Sequence, residues 1–128
     1  MERRRISSGA PWEKMAGYSR AVVEGRHVHV SGTVGVMPDG AEPSNDAGTQ
    51  ARRCFEIIFA ALREAGAGPD DVVRTRMYLT RPEDADAVLR VHGELFGSVR
   101  PATTAVVVQA LIDPRYLVEI EADAVVRP

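Results

Sequence analysis

The chain has 128 residues, a formal net charge of −2 at pH 7, 45% hydrophobic residues and 27% charged residues. These values are ordinary for a soluble globular protein, and they exclude an intrinsically disordered chain. We therefore expect one domain over residues 1–128, with enough buried surface for a core of its own. The net charge is small and slightly negative, so the chain lacks the excess of basic residues typical of proteins that bind nucleic acids or membranes, and we expect neither partner.

The cysteine content and the N-terminus define the expected compartment. Cys54 is the only cysteine, which rules out an internal disulfide and a CxxC zinc or redox site. No apolar segment follows the basic start Arg3–Arg5, as a secretory signal would require. We expect a cytoplasmic protein.

The first third of the chain is predicted to form a strand end, a hairpin and a loop. Residues 6–17 carry Ser, Gly and Pro and are predicted to be a strand end followed by a loop. The segments 20–24 and 27–33 alternate in polarity and predict two hairpin strands with a turn at Gly25. Residues 37–45 are predicted to be a loop, and a short third strand has room before the first helix.

Two amphipathic helices alternate with strands in the remainder. Apolar residues recur at helical spacing between Ala47 and Ala65, with Asn45 or Asp46 as the cap and Gly66 at the end. Strands are predicted over 72–80, 103–109 and 117–126. In the first of these strands, one face is predicted to carry Val73, Thr75, Met77 and Leu79. A capping-box spacing at 80–83 opens the second helix, whose predicted apolar stripe is Ala85, Val88, Leu89, His92, Leu95 and Phe96.

This order of elements predicts an α+β fold with both helices on one face of a sheet, because each helix has a single apolar face to bury. The opposite sheet face then stays uncovered within one chain. It would carry Arg74 and Arg76 and three acidic side chains of the last strand, which are Glu119, Glu121 and Asp123. We expect Glu121 and Asp123 to pair with an arginine such as Arg74 or Arg76, and Glu119 to reach a cleft. Such a face is either an oligomer interface or a solvated surface.

The individual motifs do not define a function. His27 and His29 share a strand face and could bind a metal, but without a recognisable third ligand we favour surface or interface histidines. His92 is predicted to be a packed core histidine and Cys54 an inert buried thiol. Glu119 and Glu121 are paired on a strand, which is more typical of a solvated or arginine-paired face. No nucleotide-binding or hydrolase motif is present.

A set of short segments resembles the Rid family, the reactive-intermediate deaminases, also called YjgF-like or L-PSP endoribonuclease-like proteins. The resemblance covers nearly the whole chain, and its strength lies in the order and spacing of the segments. These segments are Ala16-Gly17-Tyr18-Ser19, Val30-Ser31-Gly32-Thr33, Thr49-Gln50-Ala51-Arg52-Arg53, Ala65-Gly66-Ala67 with Asp70–Thr75, Arg100–Thr104, and Val118–Ala122.

The resemblance implies a chorismate mutase-like α+β fold, with a mixed six-stranded sheet and two helices on one face. It also implies a homotrimer whose uncovered sheet faces pack around the threefold axis, with small-molecule ligand clefts between subunits. Deaminating members hydrolyse imines and enamines derived from amino acids to a ketoacid and ammonia, without a cofactor.

The resemblance also assigns site residues by position. Tyr18 matches the family's aromatic residue, Ser31 and Gly32 match the strand end that lines the pocket, and Glu119 matches the glutamate that orients water. The family's carboxylate-binding arginine is replaced by Thr103, which offers a hydroxyl but no charge.

A second departure lies on the predicted second helix, where Leu89 stands at a position that is often asparagine in deaminating members. We therefore expect simple 2-imino acids to bind poorly, unless Arg100 or Arg76 supplies the missing cation.

Three functions follow from the resemblance. The first is a hydrolase acting on an imine, an enamine or a related small electrophile, and the second is a non-catalytic small-molecule-binding or regulatory trimer. The third is the ribonuclease or translation-inhibitor activity of part of the family. We rank it last, because a net charge of −2 and 5% aromatic residues provide little platform for RNA.

Overall fold

The chain forms a mixed six-stranded sheet in a computed structural model that describes residues 3–128. The strand order is β1-β2-β3-β6-β4-β5. The pair β4–β5 is parallel and the other neighbours are antiparallel. The strands are β1 Arg3–Ile6, β2 Ala21–Glu24, β3 His27–Thr33, β4 Val72–Leu79, β5 Ala102–Val107 and β6 Val118–Val125. The predicted α+β sheet is confirmed.

Two long helices, α2 (Ala47–Glu64) and α3 (Ala85–Phe96), cover one face of this sheet; a short helix α1 (Pro11–Ala16) precedes β2. Asp46 caps α2, because its carboxylate accepts the backbone N–H of Thr49 at 2.9 Å. Phe55 of α2 and Phe96 of α3 meet edge to face, with ring centroids 5.4 Å apart, in the core between the helices and the sheet.

Within residues 3–128, neither long helix covers the other face of the sheet, as predicted. Along β6, buried residues alternate with half-buried ones, so Glu119, Glu121 and Asp123 all point away from the helices. Arg76 of β4 pairs with both Glu121 and Asp123 at 3.2 Å, and His29 Nδ1 lies 2.8 Å from Asp123. The predicted arginine partnership of Glu121 and Asp123 is confirmed for Arg76.

The N-terminal segment differs from the predicted loop. Residues 11–16 form α1, because Pro11 occupies the first turn, where its missing N–H costs nothing. The Glu13 side chain is buried and accepts hydrogen bonds from Ser7 Oγ, Ser8 N and Ser8 Oγ. These bonds lower the pKa of Glu13, that from the Ser8 hydroxyl most strongly. The sixth strand is β1, ahead of this helix, and the predicted loop at 37–45 contains a 3-10 turn at residues 38–40.

Two predicted faces are also shifted. A register irregularity between Val72 and Arg74 places Val72 in the core and leaves Val73 exposed, contrary to the predicted alternation. On α3 the buried stripe includes Val91, whereas Leu89 is 43% exposed. The capping-box prediction is wrong as well, because residues 82–84 form a 3-10 turn and α3 starts at Ala85 without a side-chain cap.

Candidate functional site

A bulge in β3 brings the first group of predicted site residues together. The pairing of β3 with β6 shifts register between Val30 and Thr33, so that Ser31 and Gly32 leave the regular ladder. The Arg20 guanidinium donates to the carbonyls of Ser31 at 2.8 Å and Gly32 at 2.7 Å.

The segment before β2 is tied to the same bulge. Ser31 Oγ donates to Ser19 O at 2.6 Å, which holds the stretch that carries Tyr18 beside the bulge. Tyr18 itself is 42% exposed.

Glu119 lies against this bulge with a free carboxylate. A Cβ at position 32 would collide with Glu119 Oε2, so only glycine allows the carboxylate to occupy its position. Within residues 3–128, the Glu119 carboxylate forms no hydrogen bond and no ion pair, whereas its backbone belongs to the β4–β6 ladder. Burial raises the pKa of Glu119, the charge of Glu121 adds to this, and the charge of Arg20 opposes it. We call Tyr18, Arg20, Ser31, Gly32 and Glu119 the Glu119 cluster.

The charges of Glu119 and Arg20 also act on the thiol of Cys54. It is fully buried on α2, and burial, together with the negative charge of Glu119, raises its pKa to about 12. A thiol with this pKa stays protonated at neutral pH and is a poor nucleophile. The predicted burial of Cys54 is confirmed.

Thr103 belongs to a second group, on three other elements. Its hydroxyl lies 3.2 Å from Nε2 of His92 on α3 and is hydrogen-bonded to the hydroxyl of Thr75 on β4. The Thr75 hydroxyl in turn lies 2.8 Å from His92 Nε2. We call Thr75, His92 and Thr103 the Thr103 cluster.

The two clusters lie on opposite faces of the sheet. Thr103 pairs in register with Thr75, whose fully buried side chain faces the helices with Met77 and Leu79. Glu119 points to the uncovered face, because its neighbours Val118 and Ile120 fill the helix side. One chain therefore cannot bring Glu119 and Thr103 into a common cleft.

The two arginines considered as substitutes for the missing cation lie elsewhere. Arg76 is engaged with Glu121 and Asp123 on the uncovered face. Arg100 has a left-handed backbone conformation (φ 58°) at the end of α3. It lines a surface cleft of about 480 Å³ that includes neither Thr103 nor Glu119; the other lining residues are Asp70–Val73, Ser98, Val99, Pro101, Ala102, Val125 and Arg127.

Three polar residues of the two clusters were not predicted as site residues: Arg20, Thr75 and His92. Arg20 was assigned only to the start of a strand, although its place two residues after Tyr18 signals its proximity to the bulge. His92 was predicted to be a packed core residue, and it is buried as expected. Its hydrogen bonds to two strands depend on how those strands pair, which the sequence of α3 does not encode.

The two histidines of β3 lie at the surface of the protein. His27 and His29 are exposed, with ring centroids 6.4 Å apart. In the described part of the chain, no group of three or more His, Cys, Asp or Glu side chains could hold a metal ion. Over the same residues, no helix is long and apolar enough to cross a lipid bilayer.

Comparison with known proteins places the chain in a family. The endoribonuclease L-PSP family matches residues 9–126. An uncharacterized protein of Streptomyces coelicolor is 45% identical over 121 residues, which cover 94% of this chain and 90% of the relative. The human protein named 2-iminobutanoate/2-iminopropanoate deaminase is 30% identical over 128 residues, which cover 98% of this chain and 92% of the relative.

The solved structures agree with the sequence matches. A crystal structure of a YjgF family member from Mycobacterium tuberculosis superimposes with a TM-score of 0.89 at 45% identity and covers 98% of this chain and 100% of that chain. The chain belongs to the endoribonuclease L-PSP family, which includes the YjgF, RutC and Rid proteins. Its fold is accordingly the chorismate mutase-like fold of that family.

Proposed function

We propose that this protein is a cofactor-free hydrolase of carbon–nitrogen double bonds, acting on a small imine or enamine. The observation that carries the proposal is the free, half-buried carboxylate of Glu119 beside the Ser31–Gly32 bulge. A carboxylate whose pKa is raised toward neutrality is suited to accept and return a proton. The name of the human relative supports the same type of reaction.

The reaction assigns a simple part to Glu119. Water adds to the carbon of the C=N bond, and Glu119 accepts a water proton as the new C–O bond forms. The same carboxyl group returns this proton to the nitrogen, which gives a carbinolamine. Glu119 then takes the proton of the new hydroxyl group and passes it to the nitrogen, so that ammonia leaves as the C–N bond breaks and the C=O bond forms. Tyr18, Ser31 and the backbone of Gly32 bind the substrate beside Glu119.

The proposed site lies between subunits of a homotrimer. This arrangement is supported by the placement of the Glu119 and Thr103 clusters on opposite sheet faces, since a cleft that contains both needs two chains. The edge strand β5 supports it too, because every residue of Ala102–Val107 is exposed in the isolated chain, Val106 and Val107 among them.

The substrate of this site is proposed to differ from simple 2-imino acids. Thr103 offers a hydroxyl where the deaminating members have a guanidinium, and one hydrogen bond to a charged group is worth about 1.5–3 kcal/mol. Arg100 is the remaining candidate cation, since its side chain has no ion-pair partner within residues 3–128.

The proposal is tested by measuring ammonia release from a panel of imines generated in situ. We expect turnover of at least one uncharged imine, its loss in Glu119→Gln, and little ammonia from 2-iminopropanoate or 2-iminobutanoate. Thr103→Arg is expected to raise turnover of these two acids, because a bidentate contact binds and orients the carboxylate.

The outcomes separate the alternatives. A wild-type rate on 2-imino acids that falls in Arg100→Ala would assign the carboxylate contact to Arg100. Ligand binding without ammonia release from any imine would favour the non-catalytic binding or regulatory trimer. Salt-dependent RNA binding would instead favour the ribonuclease activity.

A further inference from the structure

The Thr103 cluster forms a line of polar atoms from the core to the exposed edge of the sheet. His92 is only 9% exposed, yet its Nε2 contacts the Thr75 hydroxyl at 2.8 Å and the Thr103 hydroxyl at 3.2 Å. Thr103 Oγ1 also lies 3.3 Å from the carbonyl oxygen of Thr75. The outermost member, Thr103, sits on the exposed strand β5.

The surroundings of His92 keep its imidazole neutral. The ring packs against Phe55 of α2 at 5.9 Å and Phe96 of its own helix at 4.7 Å, measured between centroids. Within residues 3–128, its hydrogen-bond partners are the hydroxyls of Thr75 and Thr103, and no nearby charge contributes to the shift of its pKa. Burial is the cause that lowers the pKa of His92, and the ring is therefore uncharged at neutral pH.

The role of the Thr103 hydroxyl as donor or acceptor depends on whether His92 Nε2 carries a proton. If Nε2 carries no proton, it accepts from Thr75, and Thr103 donates inward to the hydroxyl or carbonyl of Thr75. Both hydroxyl protons are then used inside the chain, and Thr103 presents only oxygen lone pairs outward. If Nε2 carries a proton, it donates to Thr75, Thr75 donates to Thr103, and the Thr103 O–H is free to point outward.

We propose that His92 determines the ligand selectivity of the proposed hydrolase site, acting as a positioning residue through Thr75 and Thr103. With Nε2 unprotonated, Thr103 accepts a hydrogen bond from the N–H of an uncharged imine or amide. With His92 protonated, Thr103 donates an O–H backed by a positive charge, which selects a carboxylate. This inference rests on the proposed function for the location of the ligand.

The test compares two probes of the same shape, 2-oxobutanoate and its uncharged amide 2-oxobutanamide. We expect the affinity for 2-oxobutanoate to rise severalfold between about pH 8 and about pH 5, while the affinity for the amide changes less than about twofold. His92→Gln should remove the rise, because glutamine forms hydrogen bonds but does not titrate. The matched variant His27→Gln, which removes an exposed histidine, should keep it.

Two results would overturn the inference. A rise that persists in His92→Gln would assign the pH dependence to another group, with Glu119 the first to examine through Glu119→Gln. Failure of 2-oxobutanoate to bind the wild type at any pH in this range would show that protonated His92 does not select a carboxylate.

A second measurement keeps the inference independent of catalysis and of the folding of one variant. The 15N shifts of the His92 ring are expected to report a pH titration that moves in Thr75→Val and Thr103→Val, which remove the hydroxyl partners. Unchanged ring shifts in both variants would contradict the inference. If imine hydrolysis fails while the selectivity and the ring titration behave as expected, the site binds ligands without turnover, and only the proposed function is wrong.

Discussion

The position of the Glu119 carboxylate depends on the absence of a side chain at Gly32. Alanine at this position would place its Cβ against Glu119 Oε2, the movable end of a side chain, rather than against backbone. We expect Gly32→Ala to fold but to displace the carboxylate, and a displacement of about 1 Å costs on the order of 100-fold in rate. Ammonia release and thermal unfolding measure the two effects separately.

The matched control for this glycine is Gly93→Ala, since a Cβ at position 93 of α3 meets nothing within 4 Å. It should leave the rate of ammonia release unchanged. A full wild-type rate in Gly32→Ala would show that hydrolysis does not depend on the position of the Glu119 carboxylate.

Glu119 is also expected to make the protein less stable than it could be at neutral pH. Its folded-state pKa is raised above the ordinary value of 4.5, so the folded state favours the protonated form. Its contribution to the free energy of unfolding is therefore present below about pH 4.5 and is lost as pH rises through the raised pKa. Glu119→Gln should raise the midpoint of thermal unfolding at neutral pH, and the gain should shrink toward acid pH.

The control for this effect is Glu64→Gln, which removes the same charge from an exposed position at the end of α2. It should shift the unfolding midpoint little and show no such pH trend. If Glu119→Gln lowers the midpoint at neutral pH, the carboxylate has a stabilising partner, which a residue free to orient water would not have.

At the scale of elements, α3 contains a glycine that its structure does not require. Gly93 lies in the interior of Ala85–Phe96, is exposed and has no close neighbour at the Cβ position. Alanine there should raise the free energy of unfolding by about 1 kcal/mol, because it restricts the unfolded chain and favours the helix. Chemical denaturation measures the change, and a destabilised Gly93→Ala would mean that another surface covers this position.

The polarity pattern of β3 predicted the strand but not its bulge. Polarity alternation predicted β3 at its observed bounds and predicted the faces of β6 correctly. It did not indicate that Ser31 and Gly32 leave the ladder, because a bulge depends on how the partner strand pairs. Likewise, the exposure of Leu89 depends on how α3 rotates against α2, and apolar spacing allowed either Leu89 or Val91 to face the core.

At the scale of the whole molecule, the opposite placement of the two clusters predicts that catalysis needs more than one chain. Three copies of the 13.9 kDa chain give a trimer of about 42 kDa, which sedimentation at micromolar concentration would detect. A monomer under these conditions would contradict the proposed inter-subunit site.

Mixed trimers test the site itself. Glu119→Gln damages one half of each proposed cleft, and Thr103→Trp blocks the other half. Each variant alone should be inactive, whereas an equal mixture, unfolded and refolded together, should recover about a quarter of the wild-type rate. In that mixture, a quarter of the interfaces join an intact Glu119 to an intact Thr103 across a ring of heterologous contacts. No recovery in mixtures that form trimers would place the whole site in one chain.

Local sequence patterns were enough to predict the α+β class, the two long amphipathic helices, the charged uncovered face of β6 and the family resemblance. These features depend on local periodicity and on residue types at fixed spacing, which hold whatever the rest of the chain does. The buried Cys54 and the pairing of Arg76 with the acidic residues of β6 followed from the same patterns.

Which polar residues meet depends on how the elements pack in three dimensions. The link between His92 and Thr103 requires α3 to pack over the parallel pair β4–β5. The separation of Thr103 from Glu119 follows from strand order and side-chain direction, which are set by contacts between segments far apart in the chain. Single-sequence patterns do not carry that information, because each segment can satisfy its own periodicity in several mutual arrangements.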